Sequence, residues 1–181
     1  QDDVNYYEYM KKSGFADKLV LNEQGDVKNQ YTNKGQKKIG DYDMVPIIDI
    51  FIKKHPDFSY GGSKGVIAET GYNGTLGYRS SKSQYGDTKK THREAQKATK
   101  VANAMKKDGW QFASHSWGHV NMTESGIADI KKDTTLWQKE VQPVVGKTPV
   151  LIFPFGADIG SFTNYTDDNE KYTYLKNKGF S

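Results

Sequence analysis

Two of the chain's four histidines, His115 and His119, stand four residues apart in "FASHSWGHVN" (112–121), with Ser116 directly after the first. Imidazoles at this spacing on one short turn can face a single cation, and they can equally form a buried structural pair. A catalytic cation needs a third protein ligand and an open position. The chain opens with "QDDVNYYEYM", in which Asp2 and Asp3 are adjacent. Neighbouring carboxylates at a strand end can divide the work, one holding a metal while the other takes a proton. Each signal is weak by itself, since an acid pair is usually surface charge and helix faces produce HxxxH by chance. The conjunction is much stronger.

The elements that must position these residues follow from periodicity and punctuation. "KLVLNEQGDVKNQY" (18–31) reads as a β-hairpin around Gly25-Asp26, followed by a loop over 32–43. A helix is expected over 43–56, with Asp43 as N-cap, Pro46 in the first turn and Pro56 as the stop. "KGVIAET" (64–70) is a short buried strand, and the Gly- and Tyr-rich stretch 70–87 is a loop. "THREAQKATKVANAMKKDG" is a helix with Thr91 and Glu94 as a capping box and Gly109 as its C-cap. The strand "WQFASHS" (110–116) ends in the histidine motif. A second long helix spans 126–146, a strand "TPVLIF" spans 148–153, and a last helix covers 167–180. Strands alternating with helices imply a mainly parallel sheet. Active groups of such folds collect at the C-terminal ends of strands, where His115 and "FPFGAD" (153–158) both fall.

Composition narrows the class. The 181 residues fit one domain, with a hydrophobic fraction of 35% and an aromatic fraction of 13%. Cysteine is absent, which excludes disulfides, thiolate metal sites and a cysteine nucleophile. No signal-peptide pattern is read in these 181 residues, as a processed or trimmed chain would also show, and no membrane span is expected because no apolar run is long enough. The net charge of +4 is concentrated in Ser80–Trp110, where eight Lys and Arg face Asp87, Glu94 and Asp108. This stretch reads as a solvated helix face; it lacks the interleaved aromatics of single-strand binders, so no nucleic-acid partner is expected. His55 reads as a helix-end residue and His92 as a surface residue, while Trp110 and Trp137 read as core. Trp117 fits core packing and a groove wall equally, and Tyr72, Tyr78 and Tyr85 fit a folded-over loop better than a sugar platform.

The order "DD", then "HSWGH", then "FPFG" resembles the polysaccharide deacetylases, carbohydrate esterase family 4, over most of the chain. The loop "GYNGTLGYR" is similar to that of a secreted clostridial subgroup. The resemblance implies a deformed (β/α) barrel within the α/β class, here a single domain over 1–181 with the 18–31 hairpin as an insertion. It implies Asp2 as general base, and Asp3, His115 and His119 as ligands of a divalent metal, with zinc expected. It implies the Phe155 N–H as an oxyanion donor and Ser116 as the residue fixing the turn. The implied reaction is hydrolysis of acetyl groups from an extracellular glycan, N-acetylglucosamine polymers being favoured and acetyl xylan also within the family. Against the family pattern, Gln1 and Val4 flank the acid pair, and Ile152 stands where the third motif carries an Arg. Arg79, isolated in the glycine-rich loop, is the expected substitute for orienting Asp2. By the same resemblance, the chain begins inside the first motif and stops before the fourth and fifth, which supply the general acid, so a fragment is expected. The rival reading is a wall- or spore-associated glycan-binding module that kept the fold and the metal site.

Overall fold

The computed structural model describes residues 1–2, 4–11 and 13–181. The first unit is antiparallel: β1 (Lys18–Leu21), β2 (Val27–Asn33) and β3 (Gln36–Gly40) form a meander, with Leu21 opposite Val27 and Asn33 opposite Gln36. The 18–31 hairpin is as expected. The segment read as a loop over 32–43 instead contains the end of β2 and all of β3. Lys34 and Gly35 both have positive φ (46° and 79°), as a two-residue hairpin turn with the twist of its strands requires. Four of the five β3 residues are exposed, so no apolar alternation betrays the strand. Helix α1 (Met44–Lys54) follows. Asp43 sits at its N-cap, but the carboxylate is turned away from the helix to accept the Tyr6 hydroxyl. Asn29, fully buried in β2, donates to the Tyr6 hydroxyl and accepts from the N–H groups of Tyr42 and Asp43, tying sheet, helix and N-terminal segment together.

The second unit positions the site. β4 (Gly65–Glu69) and β5 (Trp110–Ser114) pair in parallel from Gly65 opposite Trp110 to Glu69 opposite Ser114. Single parallel bridges extend this pair on both sides, Asp2 to Ala68 and Leu151 to Ser114. The order is therefore Asp2, β4, β5, Leu151, all parallel. The apolar run 148–153 contributes this one bridge rather than a full strand; Pro149, with no N–H to donate, and Pro154 bracket it. The expected mixed α/β class is present, but among the described residues the two sheets are small and unclosed and no barrel forms.

Helices α2 (Lys82–Tyr85) and α3 (Lys89–Lys107) lead into β5. The α3 cap is Thr88, whose hydroxyl accepts from the Thr91 N–H; the helix begins a turn before the expected capping box. α3 buries Ala98, Val101, Ala102 and Met105. The long helix expected over 126–146 is two, α4 (Ile127–Glu140) and α5 (Gln142–Val145), divided at Val141 with Pro143 in the first turn of the second. α6 (Glu170–Asn177) is capped by Asn169, whose side chain accepts from Tyr172. Ile67, Leu19, Met105, Ile130 and Trp137 are among the largest fully buried side chains, and the Trp137 indole donates to the Glu69 carbonyl at 2.8 Å. No helix of the described residues is long and apolar enough to cross a membrane.

At the end of the sheet opposite His115, the Lys64 ammonium is 2.6 Å from Asp49 and also pairs with Asp108; the Lys64 and Asp49 side chains are 6% and 9% exposed. Trp110 donates its indole N–H to the same Asp49. Lys64→Met leaves a buried carboxylate without its cation, and a loss of about 3–5 kcal/mol is expected in urea denaturation. A second test uses alkali. Burial, then the charge of Glu94, pushes the Tyr78 hydroxyl from 10.0 up to about 12. A neutral phenol favoured by the fold contributes stability that is complete below the unfolded value and lost as pH rises through the folded one. Stability should therefore fall between pH 10 and 12, more steeply in the wild type than in Tyr78→Phe, when followed by denaturant midpoints.

Candidate functional site

His115 continues β5 by one residue: its N–H donates to the Glu69 carbonyl at 3.0 Å, carrying the parallel ladder to the end of β4. Its side chain is 2% exposed. Nδ1 lies 2.9 Å from the Ile152 carbonyl. A carbonyl can only accept, so Nδ1 carries a proton. Nε2 is buried and has no hydrogen-bond partner among the described residues, while the Asp2 carboxylate lies 3.6 Å away. Asp2 reaches this point because Ala68 donates to the Gln1 carbonyl at 2.9 Å, holding the N-terminal segment beside β4. Unlike the histidine, the Asp2 side chain is 60% exposed.

His119 sits across the turn. Its ring meets His115 edge to face at 4.8 Å between centroids, and Phe155 does the same to His119 at 4.5 Å. Phe155 occupies the turn Pro154–Gly156 with φ of 61° and leaves 71% of its surface open. Asp3, the expected third ligand, lies outside the described residues. Among those residues, no group of three or more His, Asp and Glu side chains is gathered closely enough to hold a metal ion. The donor chemistry nevertheless fits a divalent cation. A histidine whose Nδ1–H is fixed by a carbonyl and whose Nε2 has no hydrogen-bond partner among the described residues has the chemistry of a ligand, and a second imidazole and a carboxylate stand beside it.

The turn is strained: Ser116 and His119 have φ of 58° and 53°, a left-handed conformation unfavourable outside glycine. Its neighbours hold it. The Ser116 hydroxyl accepts the Val120 N–H at 3.0 Å, the turn-fixing part expected of it. Asp133 of α4 accepts the N–H groups of Trp117 and Gly118 at 2.7 and 2.6 Å. Burial pushes the Asp133 carboxyl up, and these two donors oppose that shift. The Trp117 carbonyl accepts from Gly71 and Tyr72 of the glycine-rich loop. Its indole lies so close to Gly71 that a Cβ there would come within 2.0 Å of Cδ1, so only glycine fits. Trp117 is partly buried against the core and braces the turn.

The loop also holds the segment around Asn5 and Tyr7. Asn5, fully buried, donates to the carbonyls of Thr70 and Gly74 and accepts from the Thr70 N–H. Tyr72 stacks on Tyr7 at 4.4 Å and 4°. Tyr78 is buried, consistent with a loop that folds in on its tyrosines. Arg79 does not orient Asp2. Its guanidinium donates to the carbonyls of Asn73 and Tyr6 at 2.8 and 2.6 Å and faces Glu8, because the chain turns at Tyr6 (φ 48°) and offers that carbonyl first. His55 ends α1 with its ring on Phe51, and exposed His92 pairs with Asp87; neither belongs to the site.

A family model described as Polysaccharide deacetylase matches residues 85–175, half of the chain. This chain belongs to the polysaccharide deacetylase family. The matched segment contains His115, His119, Asp133 and Phe155, and Asp2, Asp3 and Arg79 lie outside it. No curated protein and no solved structure matches the chain. Membership in this deacetylase family carries carbohydrate deacetylation in general.

Asp133 and Asn5 escape a reading of motifs. Asp133 had a signal: a carboxylate between Ile130 and Trp137 on the buried stripe of a helix needs a partner. Removing it leaves two backbone donors without an acceptor. Asp133→Ala should cost about 1–3 kcal/mol in chemical denaturation, with Asp133→Asn intermediate because one acceptor oxygen remains. Gly71→Ala should be at least as damaging, since the indole must move; near-ultraviolet circular dichroism would report the displaced tryptophan.

Proposed function

We propose that this chain hydrolyses acetyl groups from an extracellular carbohydrate polymer with the aid of a divalent metal, zinc being favoured. The observation that carries this reading is the buried Nε2 of His115, without a hydrogen-bond partner among the described residues, oriented by the Ile152 carbonyl and 3.6 Å from Asp2. His115, His119 and the Asp2-Asp3 pair would hold the cation, with Asp3 the ligand and Asp2 the base. When bound, such a cation supplies Lewis acidity at an acetyl carbonyl and makes hydroxide available near neutral pH. Asp2, open to solvent on one side, takes the proton of the attacking water on its free oxygen. The Phe155 N–H would serve as the donor to the developing oxyanion, and its ring packs edge to face on His119. The substrate class favoured is an N-acetylglucosamine polymer, with acetyl xylan as the alternative.

A second reading rests on its own observation. Ile152 replaces the family's Arg, and Arg79 is committed to the Tyr6 and Asn73 carbonyls, so Asp2 lacks a guanidinium partner. That pattern favours a glycan-binding module that keeps the metal without turnover.

Metal analysis of the purified chain, followed by acetate release from chito-oligosaccharides, separates the two. About one zinc per chain, lost in His115→Ala and His119→Ala, is expected together with acetate release that a chelator stops. Metal without acetate supports the binding module. No metal after zinc is supplied overturns the site assignment and both readings.

A further inference from the structure

Glu140, the last residue of α4, lies far in sequence from either histidine, yet its carboxylate is saturated by donors from two other segments. One oxygen accepts the Trp117 indole N–H at 2.9 Å and the Ser81 hydroxyl at 2.9 Å. The other accepts the Ser83 N–H at 2.8 Å and the Ser83 hydroxyl. Trp117 is the middle of the histidine turn, whereas Ser81 and Ser83 stand at the exit of the glycine-rich loop and the start of α2. Asp133 precedes Glu140 by seven residues, two helical turns, so both carboxylates project from one stripe of α4. Asp133 takes the backbone of the turn and Glu140 takes its indole.

We propose that Glu140 is a positioning residue for His115 and His119, acting through the Trp117 indole and making the geometry of their turn depend on the seating of the glycine-rich loop. The reason is the strain at Ser116 and His119. A left-handed non-glycine pair persists only where its surroundings over-determine it. The Trp117 side chain is the lever: its backbone N–H, its carbonyl and its indole N–H are all bonded, to α4 on two counts and to residues 71 and 72 on the third. Freeing the indole lets the ring slide on Gly71 and lets the turn relax toward ordinary backbone angles, carrying both imidazoles with it. This inference rests on the metal reading of the site for its affinity test but not for its conformational test.

Glu140→Leu keeps the approximate size while removing both acceptor oxygens, and Trp117→Phe keeps an aromatic ring while removing the N–H. Each should weaken zinc binding by about tenfold in competition titrations with a chromophoric chelator. The double variant should be no weaker than the poorer single one, because both remove the same bond. Effects that add, or an unchanged affinity in Trp117→Phe, overturn the proposal. Amide hydrogen exchange at 116–120 separates failure of this idea from failure of the metal reading. Faster exchange there in both variants of the metal-free chain, with β4 and β5 unchanged, upholds the positioning role even if the wild type binds no zinc. Exchange that rises uniformly, or not at all, reduces Glu140 to ordinary structural support and overturns the proposal.

Discussion

The histidine turn cannot hold its own conformation. Two non-glycine residues in the left-handed region cost of order 1–3 kcal/mol each, and the five-residue turn has little internal bonding to offset that. The rest of the site can be understood as the means of holding this turn: Asp133 on one side, the Gly71 and Tyr72 amides on the other, Ser116 within. The position of Asp2 depends on the same scaffold. Asn5 fastens the N-terminal segment to Thr70 and Gly74, so the loop that braces the turn also carries the carboxylate to the imidazole.

This arrangement explains why a stretch rich in glycine and tyrosine is largely interior. A buried loop must satisfy its backbone polar groups. Here Trp117, Asn5 and Arg79 supply partners for residues 70–74, and Leu76 donates to the Glu69 carboxylate. The loop serves as mortar between β4, β5 and the segment after Asp2.

Much of this was legible in the sequence, and the misses have physical causes. The amphipathic period of α3, the alternation of β1 and β2 and the apolar runs of β4 and β5 each announced an element, because burial of one face dictates residue type. β3 did not, because it buries almost nothing; only the Lys34-Gly35 turn marked it. The run 148–153 looked like a full strand from its apolar character, but hydropathy says nothing of which N–H groups are available to a ladder. The strand end placed His115 at the rim of the sheet, while its pairing with Asp2 came only from the resemblance of the motif order to the family. Arg79 went elsewhere because a side chain's destination depends on which carbonyls the fold leaves open, and the Tyr6 carbonyl is created by a backbone reversal that no composition rule reveals.

The acceptor that fixes the His115 tautomer is a main-chain carbonyl, that of Ile152. Every amino acid carries that oxygen. The side chain at this position is therefore free to vary without releasing the imidazole. The orientation of the ring is thus written in the backbone of residue 152, out of reach of a mutation that changes only its side chain.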